Sequence, residues 1–148
     1  MARQIEVAVD RRVSASPGQV MGLLTDYREG RPRILTDNYV DYAVEDGGQG
    51  AGTVVRYTFR AAGRERRVRL RVETPDPETI VETDANSSLV TTWRITPEAG
   101  GGASRVRLLT TWQGAGGIGG FFERTFAPRG LRRVYEQVLD RLAAAVTR

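Results

Sequence analysis

Before residue 114 this chain reads almost entirely as strand, and it then closes on one long amphipathic helix. From Leu131 onward the apolar residues fall at Leu131, Val134, Tyr135, Val138, Leu139, Leu142 and Val146. Spacings of three and four make a single stripe on a helix of period 3.6. Arg132, Arg133, Glu136, Gln137, Asp140 and Arg141 take the other face. The stripe runs roughly 24 Å at the ordinary helical rise. The helix is expected over Phe121 to Val146, behind a glycine-rich loop. Seven strand-like runs and one such helix make a core only if the sheet curls around the helix. That arrangement usually leaves room for a guest.

A chain of 148 residues fits one domain and buries a core without staples. It holds no cysteine and no histidine. Disulfides, cysteine-ligated metals, the commonest general base and the usual partner of a nucleophilic serine are therefore excluded. No cofactor is expected. No apolar run reaches the length of a membrane span, and Met1 to Asp10 lacks the apolar stretch of a signal peptide. A soluble cytoplasmic protein is the expectation, with its oligomeric state open. Every basic residue is arginine, which reflects the nucleotide composition of the source genome more than a binding code, and the net charge of +4 is mild.

Residues Gln4 to Val13 alternate, with Ile5, Val7 and Val9 against Glu6, Ala8 and Asp10, as in a half-buried strand. Ser16-Pro17-Gly18-Gln19 then supplies an N-cap serine, proline at the first helical position and glutamine at N3. A short helix through Val20, Met21, Leu23 and Leu24 ends near Asp26-Tyr27. A second helical turn is expected in Arg28 to Arg33, limited by Pro32. Six further strands are expected at Tyr39–Glu45, Thr53–Arg60, Arg66–Glu73, Thr79–Thr83, Leu89–Thr96 and Arg105–Gln113. The turns between them are too short for parallel crossovers, so the neighbours are antiparallel.

Alternation assigns faces. Val55, Tyr57 and Phe59 share one face with Val68, Leu70, Val72, Leu89, Thr91, Trp93, Ile95, Val106, Leu108, Thr110 and Trp112. The opposite face carries Arg56, Arg60, Arg67, Arg69, Arg71, Arg94, Arg105 and Arg107. A sheet apolar on one side and basic on the other is covered on one side only.

The order of elements resembles the helix-grip fold of the START and Bet v 1-like (SRPBCC) superfamily, and specifically its bacterial polyketide cyclase/dehydrase and lipid-transport branch. The residues carrying the resemblance are Val13-Ser14-Ala15-Ser16-Pro17, Leu23-Leu24-Thr25-Asp26-Tyr27, Val44 to Thr53 at the first hairpin, and Trp93-Arg94-Ile95-Thr96-Pro97. They are turns, caps and core positions, specific for fold and nearly silent on function. The resemblance spans nearly the whole chain, residues 1–148. It implies an α+β single domain in which a curved antiparallel sheet of about seven strands wraps a long C-terminal helix, with two short helices after the first strand. It also implies a cavity between sheet and helix for a lipid, polyketide or similar apolar molecule.

Other motifs weigh less. Gly114-Ala115-Gly116-Gly117-Ile118-Gly119 matches G-x-G-x-x-G between a strand and a helix, but dinucleotide binding needs a following parallel strand. A hinge between strand and helix, or a gate, is the better reading. Gly47 to Gly52 precedes a strand and reads as a hairpin turn. Phe122 and Phe126 lie opposite the Leu131–Val146 stripe, so the helix is expected to kink near Pro128 and to turn Phe121, Phe122 and Phe126 inward. They plug the end of the core or line the cavity near its mouth.

The expected ligand-binding residues are Tyr57, Phe59, Leu70, Trp93, Leu108, Thr110, Trp112, Phe122, Phe126 and Tyr135. Access is expected through the Gly114–Gly120 loop and the first turns of the terminal helix. A cyclase or aromatase is the alternative, with Tyr39, Tyr57, Glu82 and Arg33 as scattered polar candidates and no pair at diagnostic spacing. The arginine face offers a third reading, binding to RNA, a ribosome or an anionic membrane. Aromatics for base stacking are missing from it, and acidic residues such as Glu6, Asp10, Glu73 and Glu98 are placed to pair with it, which favours a solvated, salt-bridged face.

Overall fold

The computed structural model describes residues 4–61, 63–113 and 128–146. Seven strands make one antiparallel sheet: β1 (Gln4–Val13), β2 (Tyr39–Asp46), β3 (Val54–Ala61), β4 (Arg64–Asp76), β5 (Thr79–Asp84), β6 (Val90–Glu98) and β7 (Ala103–Gln113). Their order is β1-β7-β6-β5-β4-β3-β2. Strands β2 to β7 form the expected meander, and β1 returns to pair with β7 from Gln4↔Gln113 to Val13↔Ser104. Helix α1 (Pro17–Thr25) and a 3-10 turn (Arg31–Ile34) follow β1, and helix α2 (Pro128–Val146) closes the chain. The stretch from Gly114 to Ala127, including Phe121, Phe122 and Phe126, lies outside the described residues.

The start of α1 is as its sequence dictates. Gln19 N donates to Ser16 Oγ at 3.2 Å, and Ser16 N donates to Gln19 Oε1 at 2.9 Å. Two otherwise orphaned amides are thereby satisfied, with Pro17 at the first helical position. The glycine run after β2 does more than turn the chain. Tyr27 N donates to Gly48 O at 2.9 Å and Gly50 N donates to Thr25 O at 2.9 Å, so the loop docks on the end of α1. Gly48 has a φ of 134°, a conformation that strains any residue with a side chain, and it lies against the Arg28 side chain.

The faces follow the alternation. Val55, Phe59, Val68, Leu70, Val72, Leu89, Trp93, Ile95, Val106, Leu108 and Trp112 are buried, while all eight arginines of the other face are exposed. The register sets arginine against arginine at Arg56↔Arg69, Arg94↔Arg107 and Arg12↔Arg105. Carboxylates relieve each pair. Glu45 takes Arg56 at 3.2 Å and Arg69 at 2.7 Å. Glu98 takes Arg12 at 3.4 Å and Arg105 at 3.2 Å. Asp10 takes Arg107 at 3.1 Å, and Glu78 takes Arg94 at 3.4 Å. Exposed pairs of this kind contribute roughly 0–1 kcal/mol each. Their effect here is to offset part of the charge, four carboxylates serving six arginines.

Helix α2 buries Leu131, Val134, Tyr135, Val138, Leu139 and Leu142, the six inner positions of the stripe, with Val146 partly buried. A fully buried side chain of this kind contributes roughly 1.5–3 kcal/mol. The helix lies closest to β1, the 3-10 turn and α1. It stands off from the middle of the sheet, and the space left there is the candidate site.

Candidate functional site

Strand β5 breaks the apolar rule of the inner face. Alternation from buried Ile80 turns Glu82 and Asp84 inward as well. Asp84 is absorbed locally: its carboxylate accepts from Arg69 N at 3.0 Å, Asn86 N at 3.1 Å and Ser87 Oγ at 2.6 Å, bracing the β5–β6 turn. Glu82 is different. Its Oε2 accepts from Tyr27 OH at 2.5 Å and pairs with Arg31 Nη1 at 2.7 Å, and its Oε1 accepts from Trp93 Nε1 at 3.1 Å.

Arg31 reaches this point because of the 3-10 turn that carries it. In a 3-10 helix residues i and i+3 eclipse, so Arg31 follows buried Ile34 inward while Arg33 faces solvent. Its side chain is 6% exposed and that of Glu82 3%. Nε donates to Leu24 O at 3.2 Å and Nη2 to Tyr27 OH at 3.1 Å. The guanidinium lies 4.5 Å from the Tyr27 ring centroid and 4.8 Å from that of Trp93. Cation–π contact of this kind strengthens when desolvated. Burial is the largest single influence and opposes the Arg31 charge, but Glu82, Tyr27 and Tyr42 together outweigh it and hold the proton more tightly than usual.

This cluster forms one end of an interior cavity of about 40 Å³, where roughly 10–15 Å³ suffices to hold a water. Val55, Leu70, Leu108 and Val138 supply its apolar walls, and Tyr39, Tyr42, Tyr57, Thr91 and Tyr135 its polar edges. Tyr42 OH donates to Tyr27 O at 2.6 Å. Thr110 Oγ1 lies 2.8 Å from Thr91 Oγ1 and 2.5 Å from Tyr135 OH, an interior chain of three hydroxyls. The hydroxyls of Tyr39 and Tyr57 have no hydrogen-bond partner among the described residues, although the rings pack edge to face at 5.1 Å.

Burial raises the pKa of all five tyrosines. For Tyr27, Tyr39, Tyr42 and Tyr57 burial is the largest cause, reinforced by the negative charge of Glu82. Tyr135 is pushed up to about 12 by burial, against the pull of its hydrogen bonds with Thr110 and Thr91. The cavity therefore offers neutral phenols near neutral pH. Among the described residues no cluster of His, Cys, Asp or Glu side chains suits a metal ion.

A curved sheet, a helix held off its centre and an interior pocket with a few polar groups describe many proteins. What decides among them is a match of residues 4–147 to the family model described as polyketide cyclase / dehydrase and lipid transport. The chain belongs to that family. No curated protein matches it significantly. Among solved structures it is similar to the KanY protein, an NMR solution structure, at 43% identity over 99% of each chain and a TM-score of 0.87. A protein from Thermus thermophilus shares 23% identity, with 95% of this chain and 99% of that one covered and a TM-score of 0.71. A point mutant of Thalictrum flavum norcoclaurine synthase, in complex with a transition-state analogue, shares 12% identity with 99% and 96% covered and the same TM-score. The last two likenesses show the fold alone.

For this family member the structure brings together Tyr57, Leu70, Trp93, Leu108 and Tyr135 on the cavity lining. Phe59, Thr110 and Trp112 are buried but stand outside that lining. Phe59 packs edge-on against Tyr39 at 5.3 Å, and Thr110 sits behind Thr91 and Tyr135. Phe122 and Phe126 lie outside the described residues, as does the Gly114–Gly119 motif. Of the polar candidates Tyr39, Tyr57 and Glu82 meet at the cavity, whereas Arg33 is exposed at the surface. Sequence reasoning missed Arg31, Tyr27, Leu35 and Tyr42. The eclipsing of Arg31 with apolar Ile34 was the one signal that pointed to the first of them.

Proposed function

We propose that this protein binds an uncharged or weakly polar hydrophobic small molecule between the sheet and α2. The observation that supports the reading most directly is the interior cavity itself, apolar in its walls and aromatic at its edges, in a chain of this family. Apolar walls with a few placed polar groups are the common make-up of small-molecule sites. Tyr39 and Tyr57 supply two neutral hydroxyls, unengaged among the described residues, to meet an oxygen on the ligand.

A cavity of about 40 Å³ admits a lipophile only if a wall gives way. Strand β2 is that wall in this reading. It is an edge strand, half-buried, with register breaks between Val40 and Ala43 and between Val44 and Asp46. Asp41 sits there at φ 58°, a left-handed conformation disfavoured for a residue with a side chain. Displacing β2 carries Tyr39 and Tyr42 outward together.

Protein purified without organic solvent and sprayed under native conditions should retain a small-molecule adduct. A matching lipophile at a hundredfold excess over its Kd should stabilise the fold by about 2.7 kcal/mol. Filling the cavity with Leu108→Phe should abolish both effects while the protein still unfolds cooperatively. If no adduct is found and no member of a lipophile library raises the melting temperature, the binding reading is wrong. A cyclase reading draws on the same Tyr57 and Tyr39 as proton donors, and would show as turnover lost in Tyr57→Phe with binding retained.

A further inference from the structure

The Arg31–Glu82 pair sets two opposite charges in the apolar interior, and both residues line the cavity, which Asp84 does not. An unpaired guanidinium at the end of an apolar pocket is the standard receptor for a carboxylate. Here that role is already filled, because Glu82 lies 2.7 Å from Arg31 and Tyr27 takes a further guanidinium N–H. The carboxylate is itself saturated by Tyr27, Arg31 and Trp93. A second carboxylate entering the cavity would meet a neutralised cation and a fixed negative charge behind it. Its desolvation would go uncompensated.

We infer that Glu82 sets the charge of the ligand: by cancelling Arg31 inside the cavity it makes the site a receptor for neutral molecules and closes it to carboxylates. The inference rests on the binding reading above and adds a specificity-determining residue to it. The titratable groups that face the pair are Tyr27 beyond α1, Tyr39 and Tyr42 on β2, Tyr57 on β3 and Tyr135 on α2. Each stays neutral below pH 10, so between pH 5 and 8 these phenols hold a constant charge.

The test uses a matched pair of probes, 2-naphthol and 2-naphthoate, with affinities measured by calorimetry from pH 5 to pH 8. For the wild-type protein the naphthol affinity should stay flat. The naphthoate affinity should fall about tenfold per pH unit, because only the protonated acid enters. Glu82→Gln frees Arg31 and should narrow the gap between the probes at pH 7.5 by at least about tenfold. Since that variant leaves a buried cation unpaired and can fail to fold, Arg31→Gln combined with Glu82→Gln serves as the second. With no buried charge it should discriminate as the wild type does.

Equal binding of the two probes by the wild-type protein at pH 7.5 overturns the inference and leaves the binding reading standing. So does an unchanged ratio in folded Glu82→Gln, or a double variant that rejects naphthoate much more strongly than the wild type. If neither probe binds at any pH, the reading and the inference fall together.

Discussion

Removing the Arg31 side chain leaves the buried Glu82 carboxylate without a counter-ion, and removing Glu82 does the same to the cation. Arg31→Leu is therefore expected to destabilise the fold by about 3–5 kcal/mol in urea denaturation. Pairing it with Glu82→Leu should recover most of that loss, because two apolar side chains replace two buried charges of similar volume. A double variant as unstable as the sum of the singles would show that the two residues act independently. Legibility differed sharply between these partners. Glu82 was readable because strand parity from Ile80 turns it inward whatever its charge. Arg31 was far less so, since it lies in a turn of four residues whose single i, i+3 pair with Ile34 is the one hint of its face. Phe59, Thr110 and Trp112 show the converse limit. Parity placed them on the inner face correctly, yet a face is wider than the cavity it encloses.

At the scale of elements, the segment from α1 to the 3-10 turn depends on one close approach. A Cβ on Gly30 would lie 2.4 Å from the carbonyl oxygen of Leu23, which belongs to the helix backbone and cannot swing aside. Gly30→Ala should accordingly cost about 1–3 kcal/mol and loosen the turn that delivers Arg31. Amide exchange in residues 26–35 should accelerate well beyond the global change, and uniform acceleration would contradict this. The strands themselves were legible to within three residues at each end, because their inner and outer faces differ so strongly in polarity. The terminal stripe was legible for the same reason. Strand β2 was seen but not its breaks, for its half-buried residues give no clear alternation. The glycine loop after β2 was read as a turn, while its docking on α1 rests on backbone hydrogen bonds that side-chain patterns do not record.

Over the whole molecule, all five tyrosines hold their protons more tightly in the folded state than a free phenol does. Below about pH 10 both states keep these protons and stability is unaffected. Above it the unfolded chain releases protons that the folded chain retains, so stability falls with rising pH. The fall can reach about 1.4 kcal/mol per pH unit for each tyrosine that ionises only on unfolding. Tyrosinate absorbance should then rise together with loss of the native circular dichroism. A gradual rise near pH 10 in folded protein would refute this. The cavity, unlike the faces, was not legible as a volume, because it follows from how far α2 stands off the sheet. The sheet order has a further consequence for synthesis on the ribosome. Hairpins β2–β3 through β6–β7 join chain neighbours and can zip as they emerge, but β1 waits for β7, and α2 follows all seven strands. Until then the inner face stays wet and the first strand unpaired, so folding is set by high contact order and the nascent chain is most prone to aggregate before α2 emerges.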